Sequence, residues 1–349
     1  MAYKIAVEAM GGDNAPQEIV KGAVQALKDD KEIEVIFIGD EEAIRQELKT
    51  LDYAEEIEII HTDQSIDMTE SPKVALQEKE QASIAVATRM LHKGHADALV
   101  SAGNTGATVL AAAQNLDMVK GIERSGLAAI YPTAHFNKES HGFALILDVG
   151  ATLHCSAKQL VHFAFMGSYY VSHILDIPNP RVALLNIGEE ETKGGEILST
   201  TYRYLKEAED INFIGNVEGK DIGHGVADII VTDGFVGNVA LKMMEGVGEL
   251  LKQTGKYAFK KKLSWKIGIA FLASGMKRLK EKTDYSEYGG APILGFEKLI
   301  IKAHGRSNAK AIRNAIKTAK RSAQEDVSQH ISESIVKFNK QHKLDFMDI

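Results

Sequence analysis

The chain has 349 residues, with 48 acidic against 41 basic side chains, a net charge of −7 and one cysteine, Cys155. That length buries a large core, as two domains or one α/β unit, and the acidic balance argues against a general nucleic-acid binder. A lone cysteine excludes an internal disulfide framework or a cysteine-built zinc site and points to a reducing, cytoplasmic setting, and the apolar runs are too short to cross a bilayer.

Met1-Ala2-Tyr3-Lys4 leads straight into a strand over 4–10, without the apolar core of a signal peptide. Gly11 to Pro16 follows, then a helix over 18–27 with Asp13 or Asn14 as its cap and Pro16 in its first turn. A strand over 33–38, a helix over 41–49 and a strand over 57–61 continue a βαβαβ rhythm. A polar loop leads to one long helix over 74–91.

The strand at 98–100 stops at Ser101-Ala102-Gly103-Asn104-Thr105-Gly106, before a helix over 107–115. Gly103 and Gly106 let a ligand approach the backbone, and the helix start attracts an anion such as phosphate or carboxylate. The motif is weak alone but recurs. Strands over 127–131, 143–147, 182–185, 211–217 and 229–231 follow, several ending in a glycine and a small polar or acidic residue. Examples are Asp148-Val149-Gly150, the run from Asn186 to Gly195, and Thr232-Asp233-Gly234 before a helix over 239–251. Alternating strands and helices predict a mostly parallel sheet, with ligands outside the carboxyl ends of its strands and the polar turns converging on one crevice. No G-x-G-x-x-G follows a predicted strand, so the dinucleotide fingerprint is missing.

Residues 252–282 hold ten Lys or Arg against one acidic residue, Glu281. Trp265, Ile269, Leu272, Met276 and Leu279 make one helical stripe, widened by Ile267 and Phe271. The pattern fits a helix pair in a core or dimer interface, and also an interfacial segment whose lysines meet anionic lipid. Residues 291–295 read as a Gly/Pro turn, 298–302 as a last strand, and 312–338 as one long amphipathic helix.

As an ordered set, the turns resemble the bacterial phosphate acyltransferase family PlsX. The matching stretches are AMGGDNAP at 9–16, SAGNTGA at 101–107, LDVGA at 147–151, NIGEEETKG at 186–194, VTDGFVGNVALK at 231–242, YGGAPILG at 288–295 and HGRS at 304–307. Two positions depart from the family pattern: Glu8 stands where Asp is usual, and Thr152 where Asn is. The resemblance implies a three-layer α/β/α sandwich with a mostly parallel sheet, similar to isocitrate and isopropylmalate dehydrogenases. Residues 1–349 would be one catalytic unit from which 252–284 protrudes as a basic amphipathic helical insertion. It implies a homodimer associated peripherally with the inner, anionic face of the membrane, no cofactor, and conversion of acyl-acyl carrier protein and orthophosphate to acyl phosphate at the start of phospholipid synthesis. The acidic carrier protein would also suit the lysines of the insertion.

Carried onto this sequence, the resemblance makes Lys193 and Asn238 the leading catalytic residues: a lysine binds phosphate or protonates a thiolate, and an amide donates to an oxyanion. Read alone, Lys193 is a solvated lysine after an acidic run and Asn238 a helix-start cap. Gly11, Gly12, Asp13, Asn14, Ser101, Asn104, Thr105, Gly106, Asp233 and Gly234 are assigned to phosphate or substrate, and Lys261, Lys262, Trp265, Ile269, Phe271 and Leu272 to the membrane or a partner. Asp13, Asp148 and Asp233 are read as caps and hydrogen-bond orienters rather than metal ligands, since free carboxylates would repel phosphate. His135, His141, His154 and His304 lack metal-binding spacing. Cys155 is expected to be inert, leaving direct attack by phosphate. A phosphotransacetylase-like enzyme using a coenzyme A thioester, a dehydrogenase of related fold, and a membrane-bound scaffold are the competing readings.

Overall fold

The computed structural model describes residues 2–134, 141–261, 264–266, 268, 271–272 and 289–342. Its strands are β1 Tyr3–Glu8, β2 Ile33–Gly39, β3 Glu58–His61, β4 Ala98–Ser101, β5 Gly126–Pro132, β6 Phe143–Leu147, β7 Val182–Leu185, β8 Phe213–Val217, β9 Ile229–Val231, β10 Ala291–Leu294 and β11 Leu299–Lys302. They form one eleven-stranded sheet in the order β3-β2-β1-β4-β11-β10-β5-β6-β9-β7-β8. The helices are α1 Gln17–Asp29, α2 Glu41–Thr50, α3 Pro72–Glu78, α4 Ser83–His92, α5 Thr105–Asn115, α6 Ala157–Ile174, α7 Gly195–Glu207, α8 Gly234–Lys261, α9 Ala309–Gln324 and α10 Val327–His342.

The near-continuous apolar strands follow from burial of both faces. Successive side chains point to opposite sides of the sheet. Ile5, Val7, Leu145 and Leu147 therefore join one core with Ile19, Phe163, Ile312 and Ile331 from α1, α6, α9 and α10. Ala6, Ile36, Ala144 and Ile146 join the other, with Leu76, Ile84 and Ala107 from α3, α4 and α5. The result is a three-layer α/β/α fold.

Four elements differ from the sequence reading. The helix expected over 74–91 is two helices, because residues 79–82 bond to the 62–70 loop instead: Lys79 Nζ pairs with Glu70 at 2.7 Å and Thr62 Oγ1 donates to Gln81 O at 2.5 Å. The turn expected over 291–295 is strand β10. Its Pro292 is tolerated because β5 pairs only with Ile293 and Leu294, beyond the proline. The C-terminal helix breaks at Asp326, whose φ of 46° lies in the left-handed region. Helix α7 begins at Gly195, after the left-handed Gly194, in line with the expected strand-turn-helix rhythm. At α1 neither Asp13 nor Asn14 caps: Pro16 takes that position, without a side-chain hydrogen bond.

Strand direction has the largest consequence. Strands β3, β2, β1, β4 and β11 run parallel to one another. Then β10 is antiparallel to both β11 and β5, and β5 is antiparallel to β6. Strands β6, β9, β7 and β8 are again mutually parallel. The sheet is thus two parallel blocks of opposite sense. The carboxyl ends of β1, β4 and β11 point one way and those of β6, β7 and β9 the other.

Candidate active site

The first group of strand tips is built on β1, β4 and β11. Glu8 ends β1 at 3 % exposure. Ser101 Oγ donates to its Oε2 at 2.5 Å and Ser83 Oγ to its Oε1 at 2.8 Å. Burial raises the Glu8 pKa, while the two hydroxyls and the charge of Lys302 pull against it. Lys302 lies in register with Ser101 across the β11–β4 pair. It too is buried, which lowers its pKa to about 8 against the opposing pull of Glu8.

Gly11 and Gly103 lie back to back over the Glu8 carboxylate. A Cβ on Gly11 would stand 2.7 Å from both Glu8 Oε2 and Gly103 N, so the close approach requires glycine. The turn after β1 is stitched to the turn after β11. Asp13 N donates to Gly305 O at 2.8 Å and Asn14 Nδ2 to Ser307 O at 3.3 Å. The Asp13 carboxylate faces the exposed Arg306 guanidinium at 3.9 Å, and Gly12, at a φ of 107°, packs on the Gly305 and Ala102 carbonyls. The outcome is a close packing of the turns at the tips of adjacent strands, in which protein atoms already take the space a Cβ would need at Gly11, Gly12 and Gly103.

Asn104 and Gly106 have structural duties here. Asn104 Oδ1 caps α5 by accepting from Ala107 N at 3.1 Å, while its Nδ2 holds the carbonyls of Asp67, Met68 and Glu70. Gly106 makes room for Pro72, whose Cγ would be 2.6 Å from a Cβ there. Thr105, half-buried, begins the helix.

The second group surrounds Asp148, which is fully buried. Its Oδ1 accepts from the backbone N–H groups of Leu127, Gly150 and Ala151 at 2.9–3.0 Å, and its Oδ2 from Thr152 N and Oγ1 at 2.7 and 2.8 Å. Burial pushes its carboxyl upward and these donors pull it back. Asp148 is an orienting group, as expected. Thr152 Oγ1 in turn accepts from Gly234 N at 3.0 Å and lies 3.2 Å from Cys155 Sγ. Burial drives the Cys155 thiol up to about 11, so at neutral pH the sulfur is protonated and a poor nucleophile.

Asp233 Oδ1 accepts from Val236 N at 2.7 Å and caps α8. Because α8 starts at Gly234, Asn238 is not the cap. Its Nδ2 donates to Val149 O at 2.9 Å, and the second proton of that amide has no partner among the described residues. A Cβ on Gly234 would run into Asp148 and Thr152, which makes this glycine a packing requirement. Lys193 lies in the loop after β7. Its backbone is fixed, N to Glu190 O at 3.1 Å and O from Asn186 Nδ2 at 3.0 Å. Its side chain is exposed, with no hydrogen bond or ion pair among the described residues.

The structure therefore divides the predicted site. Gly11 to Asn14 and Ser101 to Gly106 share one end of the sheet. Lys193, Asp233, Gly234 and Asn238 share the other, on the neighbouring strands β7 and β9. Helix α8 connects them. Asn238 lies near its start, and one and two turns on, about 6 and 10 Å along the axis, Lys242 and Glu245 act on His304 beside the first group. Burial lowers the His304 pKa, Glu245 raises it, and Lys242, Lys302 and Arg306 lower it further. Two residues of the first group escaped the sequence reading. Lys302 had a signal, a charge ending the apolar strand before His304-Gly305; Ser83 had none.

Of the surface set, Trp265, Phe271 and Leu272 are 43, 83 and 63 % exposed. Lys261 closes α8, and Lys262 and Ile269 lie outside the described residues. None of the described helices is long and apolar enough to cross a membrane.

Comparison with known proteins covers almost the whole chain. The family model described as "Fatty acid synthesis protein" matches residues 3–330. A phosphate acyltransferase from Thermoanaerobacter pseudethanolicus is 43 % identical over 332 residues, 95 % of this chain and 97 % of that protein. One from Moorella thermoacetica is 47 % identical over 318 residues, 91 % of each. Among solved structures, a phosphotransacetylase from Streptococcus pyogenes shares the fold, with a TM-score of 0.63 at 19 % identity over 93 % of this chain and 94 % of that one. A branched-chain phosphotransacylase from Enterococcus faecalis does so with a TM-score of 0.55 at 13 % identity, covering 92 % of this chain and 99 % of that one.

Proposed function

The chain belongs to the phosphate acyltransferase family, and from that premise we propose that it moves the acyl group of acyl-acyl carrier protein to orthophosphate, releasing acyl phosphate and free carrier protein. A phosphate oxygen attacks the thioester carbonyl, the tetrahedral oxyanion collapses, the C–S bond breaks and the thiolate takes up a proton. Both ends of the exchange are activated, so no nucleotide enters.

The reading rests on one observation, the close approach of the glycine-containing turns after β1, β4 and β11 over a buried carboxylate, with a buried lysine on the neighbouring strand. Such a junction suits a compact oxyanion better than a bulky cofactor. Phosphate is assigned to it, the thioester carbonyl to the free amide proton of Asn238 and protonation of the leaving thiolate to Lys193; because these groups lie at opposite ends of the sheet, a closure of the two halves brings phosphate against the carbonyl before attack. Cys155 is left out of the chemistry. Incubation with acyl-acyl carrier protein and orthophosphate is expected to consume the thioester only when phosphate is present, with acyl phosphate as product. Turnover of a coenzyme A thioester alone would replace this reading by that of a phosphotransacetylase.

Two surface assignments accompany the reaction. Val236, Val239, Met243, Val247 and Leu250 are each 43–66 % exposed and recur at spacings of three and four on α8, which suits pairing with the same helix of a second copy. The exposed Trp265, Phe271 and Leu272, in a lysine-rich segment, suit insertion into an anionic bilayer surface. The same lysines suit the acidic carrier protein.

A further inference from the structure

Lys302 carries a burial that the rest of the fold does not repay. It is 5 % exposed, yet among the described residues its ammonium donates only to its neighbour's carbonyl, Ala303 O, at 2.5 Å. It forms no ion pair with Glu8, whose two carboxylate oxygens are taken by Ser101 and Ser83. Two N–H bonds of a buried cation are thus unspent among the described residues, in a setting where an unpaired charge is costly. The surroundings fix where that cation acts. Lys302 stands in register with Ser101 on the neighbouring strand, and the Ser101 hydroxyl bonds Glu8 Oε2, so the lysine sits beside that carboxylate. Gly11 and Gly103 pack on the same Glu8 carboxylate.

We propose that Lys302 donates from below to the inorganic phosphate held by the glycine turns of β1 and β4, with Glu8 keeping the empty site close to neutral. This rests on the acyltransferase reading above and assigns a phosphate-binding residue to it. A dianion there receives the two unspent N–H bonds, and the buried ammonium gains the counter-charge it lacks. A purely structural Lys302 would instead serve only to offset Glu8.

Steady-state kinetics and calorimetric titration with inorganic phosphate separate the two. Lys302→Met is expected to raise the KM for phosphate at least tenfold while leaving that for acyl-acyl carrier protein unchanged. It strands a buried carboxylate, so the double variant Glu8→Gln/Lys302→Met, which removes both charges, guards against misfolding. Its melting temperature should stay near wild type while its phosphate affinity stays weak. Return of wild-type phosphate affinity in the double variant would reduce Lys302 to a counter-ion and overturn the proposal. Glu8→Gln alone, which keeps the ammonium and removes a carboxylate from beneath the anion, is expected to tighten phosphate binding several-fold; unchanged or weaker binding counts against it. If the wild-type chain binds phosphate but leaves the thioester intact, the acyltransferase reading fails while calorimetry still decides the role of Lys302.

Discussion

At the scale of single residues, the chemistry is carried by groups whose surroundings hold them in place. Asn238 spends one amide proton on Val149 O, and the proposed function gives the other to the developing oxyanion. Asn238→Ala is therefore expected to lower kcat about a hundredfold, about 3 kcal/mol of barrier, with little change in either KM. Cys155 makes the opposite case. With its thiol pushed to about 11, Cys155→Ala should retain activity within about twofold, and the native thiol should resist alkylation at pH 7.5; loss of acyl phosphate formation in a folded variant would instead mean an acyl-enzyme. His162 governs stability rather than catalysis. It is 1 % exposed in the middle of α6, with neither ring nitrogen hydrogen-bonded, and burial lowers its pKa from 6.5 to about 4. The unfolded chain binds this proton first. The neutral ring's contribution is whole above pH 6.5 and fades as the pH falls toward 4, a loss of about 3 kcal/mol. Urea midpoints between pH 7 and 4 should record that slope, and His162→Leu should flatten it.

At the scale of elements, the reading of the chain succeeded where hydrophobic pattern and local chemistry agree. Strands such as 143–147 and 229–231 are apolar throughout and end in polar turns, and both were legible. Pattern failed where a long-range partner decided the outcome. Residues 79–82 leave the helix because Thr62 and Gln64 offer them partners, and nothing local announces that. Pro292 signals a turn but falls in a strand, just short of the residues that β5 pairs with. Trp265, Phe271 and Leu272 test the assignment of an element to the membrane. Changing all three to serine should release the protein from anionic vesicles, measured by flotation, while leaving activity on soluble substrate near normal. Binding by the unaltered protein should also weaken as salt rises.

At the scale of the whole molecule, family and fold class were legible because the turn motifs run in order along the chain. The layout of the site was not. Strand direction depends on which neighbours pair, and the antiparallel β10, read as a turn, is one of the strands at which the sheet changes sense. Without that reversal the turns would face one way; with it, Asn104 and Lys193 belong to opposite ends. Assembly is the remaining property at this scale. If the stripe on α8 is buried against a second copy, Met243→Glu with Leu250→Glu should turn a dimer into a monomer in sedimentation velocity, and an unchanged dimer would place the interface elsewhere.

The junction of the two half-sheets has a mechanical meaning. Where β10 meets β5, only Ile293 with Leu127 and Leu294 with Gly126 stand in register, whereas β1 and β2 match over six positions. The seam is the shortest register in the sheet, so a relative motion of the two halves would be expressed there. Such a motion would alter the gap between the Gly103 turn and the Asp148 turn while each kept its own bonds, the approach that the proposed reaction needs.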